Sequence, residues 1–310
     1  MTDMRDGAGC LLPDDRGSVV TVGTFDGVHR GHWEVLQEIR ERARAADRRS
    51  VLVTFDPHPL RIVRPEIAPA LLTTPIEKKE ILAESGLDYA VFLKFTPELQ
   101  KYSPERFVEE ILWKRVGAEE LVIGYDHGFG RDRSGDVDTL RAVGTRLGFD
   151  VDVVGPVQSD EAAISSTRIR EAVAEGRVVA ARRGLGRPYA LRGVVVRGDG
   201  RGARLGFPTA NLMGFGTDKL LPASGVYAVR AWSRRHGVLP GALHLGPRPT
   251  FPGAAPSVEV HLLDADLDLY GERLRVDFID RIRGVEAFDS SEALVKQMER
   301  DVANARQILS

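Results

Sequence analysis

The strongest constraint on the fold is a change of rhythm along the chain. Up to about residue 175, apolar strand-like runs alternate with helix-like stripes; from about Tyr189, strand-like runs follow one another with no helix between them. Ser18–Val22 (SVVTV) reads as a buried strand, and Trp33, Leu36, Ile39 and Ala43 recur at helical spacing after it. Residues 51–55 (VLVTF) then form a second apolar run, so the order is strand, helix, strand, which requires a parallel sheet. The rhythm continues with helices over 76–82, 104–116 and 137–147 and strands over 89–95, 121–124 and 151–154. A further helix starts near Arg168, behind Ser165, Ser166 and Thr167.

The second half reads differently. Strand-like runs at 191–197, 225–232, 258–263 and 274–279 are separated by turns, the pattern of an antiparallel barrel or sandwich. A last helix carries Leu294, Met298, Val302, Ala305 and Leu309 on one stripe, and Asp289 with Glu292 has the spacing of a capping box. The chain of 310 residues fits two domains. Composition sets a loose tail over 1–17, an α/β Rossmann-like domain over 18–180, and an antiparallel β-barrel domain with a C-terminal helix over 181–310. The boundary lies in an Arg- and Gly-rich stretch before Pro188.

Bulk properties exclude several classes. The formal net charge is -2, so the chain has no basic field to hold nucleic acid. Cys10 is the single cysteine, which rules out an intrachain disulfide and a cysteine-based zinc site. No apolar run is long enough to span a bilayer and no secretory h-region is present, which points to the cytoplasm. The sequence carries no signal of oligomeric state.

Two turns carry the chemistry. Residues 23–32 (GTFDGVHRGH) follow a strand and open a helix, whose unpaired N–H groups and partial positive charge suit a phosphate. His29 and His32, three apart, face one side of its first turn, and Gly31 allows close approach. Two imidazoles over a phosphate fit nucleotidyl transfer, which needs positioning and charge stabilisation rather than a protein nucleophile. Away from a strand–turn–helix, such a pair would be ordinary surface histidines. Ser165, Ser166, Thr167 and Arg168 form a good helix cap and equally a set of phosphate donors. In the second half, a Gly-rich loop at 198–202 precedes Gly206-Phe207-Pro208-Thr209-Ala210-Asn211. Glycines let backbone N–H groups wrap phosphates, and the neutral oxygens of Thr209 and Asn211 suit Mg2+ bound to them. A β-turn leading into a Pro-started strand is the plain alternative. Glu259 alternates with the core residues Val258 and Val260, so it faces away from the core.

These motifs stand in the order found in one family. GTFDGVHRGH (23–32), TFDPHP (54–59), GYDHGFG (124–130) and ISSTRIR (164–170) resemble the FAD synthetase module of bacterial bifunctional riboflavin kinase/FMN adenylyltransferases. LGRPY (185–189), LGFPTAN (205–211), LPASGVYA (221–228), LGPRPTF (245–251), VEVHLLD (258–264) and LYG (269–271) are similar to its kinase module. The resemblance implies Mg-dependent phosphorylation of riboflavin by ATP, then adenylyl transfer from ATP to FMN, giving FAD and pyrophosphate. It implies that His29 and His32 contact ATP phosphates, with Gly23, Phe25, Asp26 and Gly31 in the same turn. Ser165, Ser166, Thr167 and Arg168 would hold the outer phosphates, and Asp56, His58 and Asp126 would line the nucleotide or flavin site. In the second half it implies Gly206 and Pro208 at ATP, Thr209 and Asn211 at the metal, Glu259 as general base and Arg283 at phosphate. Partners are then small molecules alone. The chain departs from common family residues at Thr24, His127-Gly128, Ala203 and His244. Loss of one activity, or of both in a flavin-binding regulator, is the alternative those departures raise.

Overall fold

The computed structural model describes residues 2–6, 16–124, 137–155, 158–159, 162–246, 257–265 and 267–310. They fall into two compact units, Met1–Ser166 and Thr167–Ser310.

In the first unit, strands β1 (Asp3–Asp6), β2 (Ser18–Val22), β3 (Arg49–Asp56), β4 (Tyr89–Lys94), β5 (Ala118–Gly124) and β6 (Asp150–Val154) form one parallel sheet. Their order is β1-β4-β3-β2-β5-β6. Every residue of β2 is buried, because both sheet faces are covered. The alternation of side chains divides the strands between two cores. Val19 and Leu52 pack with Leu36, Ile39 and Ala43 of helix α1 (Arg30–Ala45) on one face. On the other, Val20, Val22, Val51 and Val53 pack with Phe107, Val108, Ile111, Leu112, Leu140 and Val143.

The connecting helices are α2 (Leu60–Val63), α3 (Pro75–Ala83), α4 (Pro97–Gln100), α5 (Pro104–Phe107) and α6 (Val137–Leu147). Thr74 caps α3 in a complete box with Glu77, and Pro75 occupies the first turn. The helix expected over 104–116 is instead α5 followed by a π-helical stretch, Val108–Trp113. A second correction concerns the loose tail: Asp3–Asp6 pairs in parallel with β4, and Asp3 N–H donates to Asp88 O. Met4 is its single apolar side chain, part-buried against the core of α1, too little for a periodic signal. A short antiparallel pair, β7 (Gln158–Ser159) and β8 (Ala162–Ala163), completes the strands before residue 166.

The second unit begins within helix α7 (Ser166–Ala174), followed by α8 (Val178–Leu185). Val178, Ala181 and Leu185 of α8 are buried against β9 (Tyr189–Val196) and β14 (Arg273–Arg283). Contacts therefore divide the chain near 166, earlier than the composition shift at 180/181. A short helix, α9 (Arg201–Arg204), precedes β10 (Ala210–Met213), β11 (Gly225–Ser233), β12 (Gly237–Gly246) and β13 (Ser257–Leu262). With β9 and β14 they close an antiparallel barrel in the order β10-β13-β12-β11-β14-β9. Tyr189, Tyr227 and Phe278 fill its interior, and both tyrosine hydroxyls reach carbonyls, those of Leu220 and Ala223. Helix α10 (Ser291–Leu309) packs outside on β11, β12 and β14, with Ala305 buried against Ala228, Ala242 and Leu263. Its cap is Ser290, whose Oγ accepts from Ala293 N–H at 3.1 Å, and not the expected Asp289.

Candidate active sites

The order of the parallel sheet reverses direction at β2: β3 and β5 flank it, and the chain leaves toward opposite edges. In such sheets the crevice at the carboxyl ends of the central strands is where ligands bind. The turn after β2 occupies that place. Phe25 (φ 47°), Gly27 (φ 81°) and Val28 (φ 40°) all take the left-handed conformation. For Phe25 and Val28 this costs of order 1–3 kcal/mol each. Burial of both side chains offsets it, and so does a clamp on Asp26. One Asp26 oxygen accepts from Leu72 N–H at 2.9 Å, the other from Thr73 N–H at 3.0 Å and Thr73 Oγ1 at 3.1 Å. Gly27 N–H donates back to Thr73 Oγ1 at 3.0 Å. Asp26, expected at phosphate, therefore holds the turn, and its charge is committed to protein donors.

His29 and His32 close the first turn of α1 reciprocally. His32 N–H donates to Nδ1 of His29 at 3.3 Å, and His29 N–H donates to Nδ1 of His32 at 3.2 Å. The rings stack at 3.6 Å, with Phe25 on the other side of His32 at 4.4 Å. Because each Nδ1 accepts, each neutral ring carries its proton on Nε2. A Cβ on Gly31 would lie 3.3 Å from the His29 ring, so the stack needs glycine there. A Cβ on Gly23 would lie 3.0 Å from the Phe25 ring, a second close approach in the same turn.

Ser166 and Asp56 are brought to this end of the sheet. Ser166 Oγ donates to Asp26 O at 3.0 Å, and Ile164 O lies 4.0 Å from the Cβ position of Gly31. Ser165 precedes it, half-buried, while Thr167 and Arg168 are exposed and open the second unit. Asp56 ends β3 beside β2 and joins Pro57 through a cis peptide bond. His58 Nδ1 accepts from Leu60 N–H at 3.2 Å. Asp126, with His127-Gly128, lies outside the described residues. The sequence reading missed Lys78 of α3. Its Nζ donates to Thr24 O at 3.0 Å, Phe55 O at 3.1 Å and Thr54 Oγ1 at 3.2 Å. Burial pushes this ammonium down to about 8, against the opposing pull of the Asp26 and Asp56 charges.

The barrel presents a different set. Gly206 (φ 87°) turns the chain into Phe207-Pro208-Thr209, and Thr209 Oγ1 donates to Glu259 Oε2 at 3.3 Å. Asn211 is paired with Glu259 across β10 and β13. A Cβ on Gly198 would sit 2.3 Å from the Asn211 amide nitrogen, so this glycine leaves space for that side chain. His261, not singled out from sequence as a site residue, bonds the Pro208 carbonyl through Nδ1 at 2.9 Å and positions the turn. His244 is the cross-strand partner of Glu259 on β12. Burial holds its imidazole below the usual histidine range, with Glu259 opposing, so it is neutral at pH 7. Its ring lies 2.6 Å from where a Cβ on Gly246 would be. Arg283 does not present a free charge. Its Nε and Nη2 bind the Asp301 carboxylate of α10 at 2.7–3.1 Å. Residues 247–251 of the expected LGPRPTF motif lie outside the described residues.

Among the described residues no three His, Cys, Asp or Glu side chains form a metal site. A magnesium ion on ATP needs few protein ligands and takes neutral oxygens, so Thr209 and Asn211 fit it.

A phosphate turn on a parallel sheet and a carboxylate beside a Gly-rich turn on a barrel define a two-site nucleotide-dependent transferase. The comparisons with known proteins name both halves. A family model for FAD synthetase matches residues 12–168, and one for riboflavin kinase matches residues 185–309. The bifunctional riboflavin kinase/FMN adenylyltransferase of Escherichia coli K12 is 38% identical over 291 residues, covering 94% of this chain and 92% of its own. The Pseudomonas fluorescens enzyme of that name is 39% identical over 305 residues, covering 96% and 95%. A crystal structure from Streptococcus pneumoniae, described as a macrolide-efflux protein, superposes with a TM-score of 0.87 at 31% identity over 98% of both chains. Among the described residues of this chain, no helix is long and apolar enough to cross a membrane. The chain belongs to the bifunctional riboflavin kinase/FMN adenylyltransferase family and carries both enzymatic domains.

Proposed function

We propose that the two reactions divide between the units as the chemistry of their side chains divides. The barrel phosphorylates riboflavin. Glu259 takes the proton from the 5′-hydroxyl as that oxygen attacks the γ-phosphorus of ATP, the bond to the β,γ-bridging oxygen breaks and ADP leaves, and Gly206 and Pro208 shape the turn around the phosphates. Thr209 and Asn211 would hold the magnesium ion, which neutralises phosphate charge when bound. The parallel-sheet unit adenylylates FMN. The FMN phosphate attacks the α-phosphorus of ATP and pyrophosphate leaves, so no protein nucleophile is needed. Nε2–H groups of His29 and His32, with the N-terminus of α1, stabilise the charge that develops there. Ser165, Ser166, Thr167 and Arg168 hold the leaving phosphates, and Asp56, His58 and Asp126 line the nucleotide or flavin side. The same reading takes the chain to act in the cytoplasm on small molecules.

The observation that carries this division is the reciprocal Nδ1 capping of two stacked histidines at the end of β2. That bonding commits Nδ1 of each ring to the turn and fixes the orientation of both imidazoles at the carboxyl end of the sheet. The test is a time course of purified protein with riboflavin and Mg-ATP, with the flavins separated. Wild type should make FMN and then FAD. His29→Ala with His32→Ala should stop at FMN, with FAD formation lowered at least about 100-fold. Glu259→Ala should lower FMN formation about 100-fold or more and still convert supplied FMN. Full kinase activity in Glu259→Ala would remove the base assignment.

A further inference from the structure

Lys78 is a buried cation that none of the site motifs contains; it is 7% exposed. Its three ammonium protons have three acceptors, two of them backbone carbonyls, of Thr24 in the turn after β2 and of Phe55 near the end of β3. Thr24 stands in the turn that leads to His29 and His32. Phe55 immediately precedes Asp56, Pro57 and His58. Thr54 Oγ1 also donates to Thr24 O, at 3.1 Å, so the turn and the end of β3 are joined around one charge. The residues just before α3 hold the same turn a second time, through the bonds from Leu72 and Thr73 to Asp26.

We infer that Lys78, in its protonated form, is a positioning residue for adenylyl transfer: it fixes the turn after β2 against the end of β3, and so sets His29 and His32 before ATP binds. The inference rests on reading that turn as the adenylyl-transfer site. A neutral amine has two protons for three acceptors. Deprotonation removes one of the three bonds, and the turn after β2 and the end of β3 are held less tightly. Pre-set geometry is a large part of a transfer reaction that has no protein nucleophile, because small displacements of positioning groups cost large factors in rate. The charged groups facing Lys78 are Asp26 of the turn and Asp56 at the end of β3; both favour the ammonium, and burial opposes it. The balance brings its titration to about 8, within an assayable range.

The test uses the whole chain. FMN-to-FAD conversion with Mg-ATP is the readout, and the calorimetric melting transition of the parallel-sheet unit reports folding. Wild-type kcat for FAD formation should be about tenfold lower at pH 9 than at pH 7, following the protonated fraction. Lys78→Met should lower that kcat at least about tenfold at pH 7, leave KM for ATP within about threefold, and remove the alkaline limb. Thr54→Val keeps the charge and removes one acceptor, so it should move the limb to lower pH. It also serves as the test if Lys78→Met does not fold. A lysine with a merely structural role would change the melting temperature and leave the limb in place.

A folded Lys78→Met enzyme with wild-type kcat overturns the inference. So does an alkaline limb that survives in Lys78→Met, a limb unmoved in Thr54→Val, or a flat wild-type profile. The double histidine variant separates the premise. If it still makes FAD, the reading of the turn has failed; if it makes none while Lys78→Met is unaffected, only the role of Lys78 has failed.

Discussion

Asp301→Ala should destabilise the barrel by about 3 kcal/mol. The perturbation removes the carboxylate that binds Arg283 through three contacts of 2.7–3.1 Å and accepts from Gln297 Nε2 at 2.9 Å. The side chains of Arg283 and Asp301 are 16% and 6% exposed, so the guanidinium left behind finds little water. Removing one partner of a buried pair costs about 3–5 kcal/mol, and the low end applies because Arg283 keeps some exposure and its bond to Gly284 O. In a domain of this size that corresponds to a melting shift of roughly 10 °C. Calorimetry of the whole chain reads it directly, since the barrel transition should move and the sheet transition should stay. The companion variant Arg283→Met with Asp301→Leu replaces both charges by apolar groups of similar volume and should lie within about 1 kcal/mol of wild type. A cost below about 1 kcal/mol for Asp301→Ala, or a double variant worse than the single one, would refute the clamp.

Gly31→Ala places a Cβ 3.3 Å from two atoms of the His29 ring, so the stack must shift by a few tenths of an ångström. FAD formation should fall about tenfold while FMN formation is unchanged; unaltered FAD formation would show that the ring geometry is not limiting. The stability of the sheet unit should respond to pH in the opposite direction to its activity. Lys78 titrates near 10.5 unfolded and about 8 folded, so below pH 8 the fold carries the full cost of a disfavoured charge, on the order of 3 kcal/mol. That cost is relieved as pH rises from 8 toward 10.5. The wild-type sheet transition should therefore gain on that of Lys78→Met between pH 7 and pH 9, while wild-type FAD formation declines. A constant difference would place the folded titration of Lys78 elsewhere.

The architecture was legible where side chains carry the burial. β2 and β3 bury nearly every residue, and α1 buries Leu36, Ile39 and Ala43 at helical spacing, so periodicity reports them. It fails where the backbone does the work. β1 is Asp-Met-Arg-Asp, held to β4 by main-chain bonds at the sheet edge. β12 contains Pro240 and Gly241, which read as breakers, yet both sit in register with β11. Gly241 belongs there because a Cβ would stand 3.0 Å from His261 O, a close approach between strands. The cap of α10 shifted from Asp289 to Ser290 because either residue fits the local pattern and only backbone geometry chooses between them.

The motifs gave the positions of the expected site residues, and the structure adds where their side chains turn. A buried carboxylate needs donors of its own. Asp26 sits in the turn motif and aims its carboxylate inward at Leu72 and Thr73. Arg283 sits in a matched segment and is neutralised by Asp301. A motif gives the position of a residue and not the direction of its side chain, so these protein partners were not legible in the sequence. The cation that touches the turn, Lys78, comes from the first helix after the Asp26 clamp, about fifty residues downstream of Thr24, and reaches it only through the fold. No local spacing could reveal it. A signal did exist in hindsight: a lysine inside a short helix behind a Thr-Pro cap, where burial requires that a charge find acceptors. Composition thus marks Lys78 as a charge that must find acceptors, and only the fold shows that those acceptors are Thr24, Thr54 and Phe55.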